Sequence, residues 1–156
     1  MRYRLYRGED FDSVYALEVV CFEAPLRFPQ ALMRRLIASP RSATWLAEEE
    51  SNLAGFAIVE WMRRASGTIA YIETIEVAPG QRGQGIGRGL LARMEESARS
   101  AGAHTIWLHV EDGNAPAIHL YEARGYEFKG REENFYAGQR PARIYSKSLL
   151  AAVDKE

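Results

Sequence analysis

The residues most able to do specific chemistry in this sequence are Arg82, Gly83, Gln84, Gly85, Ile86, Gly87 and Arg88. Glycines let a backbone approach a ligand closely and adopt conformations that a side chain forbids. The segment lies between a β-rich stretch and a run at helical spacing, so its amides open a helix. Free N–H groups there, aided by the helix dipole, face an anion. A diphosphate is the natural occupant, and a flexible glycine turn is the other reading of the same residues. Two nucleotide motifs do not fit. A Walker loop ends Gly-Lys-Ser/Thr, whereas Gly87 is followed by Arg88. A Rossmann fingerprint follows the first strand of a repeated βαβ unit, whereas this loop follows the fourth strand.

Other groups could move protons. His109 sits in a compact apolar strand, and an imidazole ordinarily titrates near neutrality. Strand alternation points Tyr71, Glu73 and Ile75 to one face and Glu76 to the other. A carboxylate at 73 on that face could also accept a proton. His104 and His119 have no partner pattern. The histidines, Cys21 and the scattered carboxylates show no metal-ligand spacing, so no metal is expected. Cys21 reads as a buried helix residue, and no nucleophile-elbow pattern is present.

The elements that must position these groups alternate. Strands are expected at 2–7, 43–49, 53–62, 68–78, 105–110, 126–132 and 142–149. Glu9 and Asp10 open a helix to Cys21, with Phe11, Val14, Leu17 and Glu18 on one face. Pro25 and Pro29 mark a loop before a second helix with Leu32, Leu36 and Ile37 on one face. A third helix, 86–101, carries Leu90, Leu91, Met94 and Ala98. Asn114 caps a fourth, 115–124, and Gly125 ends it in a left-handed conformation. The order gives an α/β domain with a mixed sheet of seven strands and four helices. The 156 residues, 47% hydrophobic and 26% charged, suit one domain over 1–156 and exclude disorder or coiled coil. A net charge of −1 gives no footprint for generic nucleic-acid binding. No apolar run reaches a membrane span, and the first residues lack a signal-peptide core. With one cysteine, a cytoplasmic location is expected.

These residues resemble a known family. The loop is similar to the acetyl-CoA loop of the GNAT superfamily of N-acetyltransferases, Gln/Arg-x-x-Gly-x-Gly/Ala, filled by Arg82, Gly85 and Gly87. Ile75-Glu76-Val77-Ala78-Pro79 before it fits the pattern too. So do Leu108-His109-Val110, Asn114-Ala115-Pro116-Ala117-Ile118 and Leu120-Tyr121-Glu122-Ala123-Arg124-Gly125-Tyr126 after it. The likeness covers roughly residues 3–149 and is greatest to protein N-terminal acetyltransferases of the RimI type. Asn134-Phe135-Tyr136 resembles their Asn-Tyr-Tyr, and Cys21-Phe22-Glu23-Ala24-Pro25 their loop between the first two helices.

The resemblance implies the acyl-CoA N-acyltransferase fold, with acetyl-CoA as donor and a protein N-terminus or another amine as acceptor. Backbone groups of Ile75, Glu76 and Val77 would hold the pantetheine arm, and an amide near Ile75 would polarise the thioester carbonyl. The loop from Arg82 to Arg88 would hold the diphosphate. Asn114 and Ala117 would border the arm from the far side. Tyr121 would protonate the departing thiolate. The resemblance pairs His109 with Tyr71 as a water-relayed base, and Glu73 is the rival. Phe22, Pro25, Asn134, Phe135 and Tyr136 would wall the acceptor groove. A small amine, polyamine, antibiotic or lysine acceptor, and a non-catalytic acyl-CoA-binding module, remain as alternatives.

Overall fold

A computed structural model describes residues 1–136 and 140–150. The elements follow the expected order: β1 (Arg2–Leu5), α1 (Phe11–Cys21), α2 (Gln30–Ala38), β2 (Ser42–Glu49), β3 (Asn52–Arg64), β4 (Gly67–Val77), α3 (Ile86–Ser100), β5 (Ala103–Glu111), α4 (Ala115–Ala123), β6 (Glu127–Tyr136) and β7 (Arg140–Ser148). They build one seven-stranded sheet in the order β1-β2-β3-β4-β5-β7-β6. Every pair is antiparallel except β4–β5. A parallel pair needs a crossover, and α3 supplies it.

The helices cover both faces. The apolar stripe of α3 (Leu90, Leu91, Met94 and Ala98) is fully buried against Ala57, Val59, Ala70 and Ile72 of the sheet. On the opposite face Phe11, Val14 and Leu17 of α1 pack with Met33 of α2 and with Phe56 and Ile58 of β3. Met33, rather than Leu32, is the buried centre of α2. The first turn of α3 must also lie close on its neighbours. A Cβ at Gly87 would press on Leu120 at 3.3 Å, and one at Gly89 would collide with the Tyr3 hydroxyl. Both glycines therefore serve close packing of α3.

Two irregularities create the site. Parallel pairing of β4 and β5 stops at Tyr71 opposite Trp107. Beyond it β4 stays with β3 to Val77, while β5 stays with β7 to Glu111. The two central strands therefore part and leave backbone edges free. The second is a β-bulge. Ile58 and Val59 of β3 face Thr74 and Ile72 of β4, so Glu73 is an extra residue. A bulge re-aims every side chain beyond it.

Candidate active site

The gap between the parted strands is a cavity of about 380 Å³. Strand β4 contributes Tyr71, Ile72, Glu73, Thr74 and Ile75, and β5 contributes His109, Val110 and Glu111. Asn114, Ala117 and Tyr121 close it from α4, Phe135 and Tyr136 from β6, and Glu18, Phe22, Leu26 and Phe28 from α1 and the loop after it.

At the point where the strands divide, the Tyr71 hydroxyl lies 2.7 Å from His109 Nδ1. His109 Nε2 lies 3.0 Å from Glu132 Oε1. A carboxylate only accepts, so Nε2–H donates to Glu132, and Nδ1 of the neutral ring accepts from Tyr71. The imidazole stacks on Phe135 at 3.9 Å between centroids, and Trp107 packs against it tilted, at 5.2 Å. Its side chain is 8% exposed, whereas that of Glu132 is 51% exposed. A chain of hydrogen bonds thus runs from the cavity to solvent. Burial pushes the Tyr71 phenol well above its ordinary value, with Glu73 adding to the effect, so it stays protonated.

Tyr121 is 4% exposed and turns into the cavity from α4. Its hydroxyl makes no hydrogen bond among the described residues, and burial again raises the phenol far above its usual range. Burial likewise raises Tyr136 to about 12. Asn114 starts α4 as its cap, with its side-chain oxygen accepting from the Ala117 N–H at 3.3 Å. Pro116 then occupies an early helical position where no N–H is needed.

The loop into α3 fits an anionic group. Gly85 is the helix N-cap at φ 82° and offers no side-chain cap, and Gly83 also has positive φ, 81°. A Cβ at either would meet open space, so the backbone is exposed there. The first-turn N–H groups of Ile86, Gly87 and Arg88 point out of the helix end. Arg82 does not reach toward this opening. Its Nε donates to the Val77 carbonyl at 3.1 Å, which fastens the loop to the end of β4.

Residues 11–126 match the acetyltransferase (GNAT) family. The chain belongs to this family. It is 46% identical over 92 residues to a streptothricin acetyltransferase of Streptomyces lavendulae, a match that covers 57% of this chain and 46% of that protein. It is 30% identical over 120 residues to N-alpha-acetyltransferase RimI of Mycobacterium tuberculosis, covering 77% and 74%. The chain thus spans about half the length of the first of these relatives. Among solved structures, Arabidopsis thaliana Naa50 in complex with a bisubstrate analogue, CoA-Ac-MVNAL, superposes with a TM-score of 0.81 at 26% identity, over 94% of this chain and 97% of the other.

Several expectations for a GNAT site change on this structure. The bulge at Glu73 breaks the alternation that grouped 71, 73 and 75. Glu73 lies against Glu60, while Ile75 and Val77 pack toward the α3-side core. Glu76, expected on the other face from Glu73, instead meets Glu18 of α1 and is 4% exposed. Its side chain is thereby committed to the protein interior. Pro25 is exposed and does not line the cavity; Leu26 and Phe28 do. Asn134 is also exposed. Its φ of 57° makes it a backbone corner within a stretch of broken register on β6, next to the Phe135 that stacks on His109. Gln84 is exposed in the loop. Cys21, at the end of α1, is half-buried rather than buried. Burial and the Glu60 carboxyl push Glu73 up to about 8, which leaves it protonated at neutral pH. The sequence reading missed Glu132, Trp107 and the site role of Glu18. Glu18 carried a signal: a carboxylate on the apolar face of an amphipathic helix. Glu132 carried none, because it lies in a run of charged residues on an exposed strand.

No helix among the described residues is long and apolar enough to cross a membrane. No group of three potential metal ligands occurs among them.

Proposed function

We propose that this chain transfers an acetyl group from acetyl-CoA directly to a primary amine, with the α-amine of a protein N-terminus as the acceptor. The observation that carries the proposal is the Tyr71–His109–Glu132 hydrogen-bond chain, which opens on the cavity that Tyr121 closes. Acetyl-CoA, when bound, supplies an acyl carbon activated as a thioester. The fit is supported by the uncapped N-terminus of α3, the positive-φ glycines with open space above them, and the free edge of β4.

The chain's own residues then have distinct tasks. Amides from Gly83 to Arg88 hold the diphosphate, and Ile75, Asn114 and Ala117 border the pantetheine arm. Tyr71 takes the amine's proton at its phenol oxygen, through a water or directly, while its own proton moves to Nδ1 of His109. Glu132, accepting from Nε2, stabilises the imidazolium so formed. An α-amine has a pKa near 8 in general, so the relay removes a proton that is already weakly held. Tyr121, kept protonated by burial, donates to the departing sulfur. Cys21 does not line the cavity, in keeping with transfer that forms no acyl-enzyme.

A second reading, a small amine bearing more than one positive charge, is favoured by Glu18 and Glu111 in the cavity wall. The Streptomyces relative, named for acetylation of streptothricin, points the same way. The test is an acetylation assay on a peptide library scored by N-terminal residue, run beside a panel of small amines. Transfer to either set supports acetyl transfer to an amine; preference for peptides supports the α-amine acceptor, and transfer to small amines alone would overturn it. Tight acetyl-CoA binding with no transfer to any amine would identify a binding module instead.

A further inference from the structure

Glu18, in the last turn of α1, is fully buried and lines the cavity, yet the transfer chemistry gives it no task. Its Oε2 accepts from the Phe28 N–H at 2.9 Å. Its carboxyl is also hydrogen-bonded to that of Glu76 on β4, whose Oε2 accepts from the Thr74 hydroxyl at 2.8 Å. The Oε1 atoms of both are buried and have no other partner among the described residues, which leaves them to share a proton. Two carboxyl groups bond only when one of them carries a proton. Burial, with Glu18 adding to it, pushes Glu76 far above the usual carboxylate range, so the proton stays at neutral pH. The segment after α1 is clamped by the same helix. The Phe28 carbonyl accepts from the Tyr15 hydroxyl at 2.7 Å, so side chains of α1 hold both backbone groups of Phe28. The Phe22 carbonyl accepts from Arg27 Nε at 3.2 Å, which draws the turn together. Phe22, Leu26 and Phe28 from this segment form one wall of the cavity, and Thr74 and Ile75 of β4 border it as well.

We infer that Glu18 is a positioning residue: its bonds to Phe28 and Glu76 fix the wall of Phe22, Leu26 and Phe28 at a set distance from β4, and so place the acceptor amine. The inference rests on acetyl transfer as the reaction. An apolar contact between α1 and β4 would avoid desolvating two carboxyl groups. What the pair adds is direction, because a satisfied buried polar network specifies one arrangement where apolar packing allows several. Tyr71, His109 and Tyr121 stand on β4, β5 and α4, so a shift of this wall leaves them in place. The glycine loop that opens α3 also lies outside the segment. A loosened wall therefore weakens acceptor binding and spares acetyl-CoA.

Two substitutions of similar volume separate these bonds from mere packing. In Glu18→Gln the amide oxygen accepts from Phe28 and the amide nitrogen donates to Glu76, so both bonds and the charge of the pair survive. Glu18→Met fills the same space and makes neither bond, and Glu76 then keeps a proton of its own. The acceptor is the highest-scoring amine of the assay above. Glu18→Met should raise its KM by about tenfold or more, with kcat changed by less than about threefold. Glu18→Gln should stay within about threefold of wild type in both. The Kd for acetyl-CoA, read by calorimetry, should move by less than about twofold in either variant. Hydrogen exchange of the Phe28 amide, read by NMR, needs no turnover. It should speed by about tenfold or more in Glu18→Met and stay slow in Glu18→Gln. Tyr15→Phe removes the other hold on Phe28, leaves the buried pair intact, and should raise the acceptor KM by about threefold. An unchanged acceptor KM in Glu18→Met, an equal loss in Glu18→Gln, or a matching loss of acetyl-CoA affinity would overturn the inference. If Glu18→Met does not fold, an unchanged KM in Tyr15→Phe would overturn it. Faster Phe28 exchange with normal kinetics would remove the positioning role and keep the transferase reading. A wild type that binds acetyl-CoA and acetylates no amine would remove that reading, with the exchange rates still reporting the bond.

Discussion

Replacing Tyr121 with phenylalanine removes one oxygen and leaves every ring carbon in place. The ring is 4% exposed and packs beside Tyr126, with 5.6 Å between centroids. Those contacts survive the substitution. The hydroxyl makes no hydrogen bond among the described residues, so its loss should change stability by less than about 0.5 kcal/mol. A melting shift of no more than about 3 °C follows. Catalysis is the opposite case. A positioned general acid contributes about 100-fold to 10,000-fold, so kcat should fall by at least about 100-fold, or about 2.7 kcal/mol of barrier. The Kd for acetyl-CoA, read by calorimetry, should stay within about twofold, because nothing that touches the diphosphate has moved. Burial holds this phenol far above its ordinary range, so it remains a donor throughout the working pH span. The ratio of wild-type to variant turnover, followed by thiol release, should therefore be flat between about pH 6 and 9. A kcat loss under about fivefold, or equal losses in turnover and in acetyl-CoA affinity, would refute the acid role.

Tyr71 and His109 are joined by a 2.7 Å hydrogen bond and should act as one unit. Tyr71→Phe and His109→Gln should each lower kcat/KM by about 10-fold to 100-fold, with the double variant little worse than either, whereas additive losses in a double-mutant cycle would separate them. Glu73, raised from 4.5 to about 8 in the folded chain, binds a proton there that the unfolded chain has released. Between those values stability must fall as pH rises. Glu73→Gln should flatten that fall, and parallel melting curves for the two proteins between about pH 5 and 9 would contradict it. Glu95 is fully buried and accepts from the Tyr126 hydroxyl at 2.9 Å, from Arg124 at 3.1 Å and from Lys147 at 3.1 Å. Glu95→Ala leaves two cations and a phenol facing its place, so urea unfolding should show a loss of about 3 kcal/mol. A loss under about 1 kcal/mol would mean that water replaces the carboxylate.

Much of the fold was written locally. The period of Leu90, Leu91, Met94 and Ala98 sets the buried face of α3 without reference to anything distant. Asn114 and Gly125 bracket α4 as expected, the first by its cap bond and the second at φ 93°. The glycines at 83 and 85 announce a backbone that departs from ordinary conformations, and both have positive φ. These are properties of a few neighbouring residues, and chain chemistry alone is enough to fix them.

Other features belong to contacts between distant segments. An alternation argument assumes an unbroken strand, and the extra residue at Glu73 exists only because β3 pairs with β4 in one register. That single residue sends Ile75 toward one core and Glu76 toward α1. The bond from His109 to Glu132 joins residues 23 positions apart, and nothing in an exposed polar strand marks Glu132 as a partner. Glu18 and Glu76 lie on a helix and a strand that meet only after α1 docks on the sheet. Composition and periodicity thus determined which elements form and which faces they bury. Only the docked sheet, with its parted strands and its bulge, decided which charges meet in the cavity.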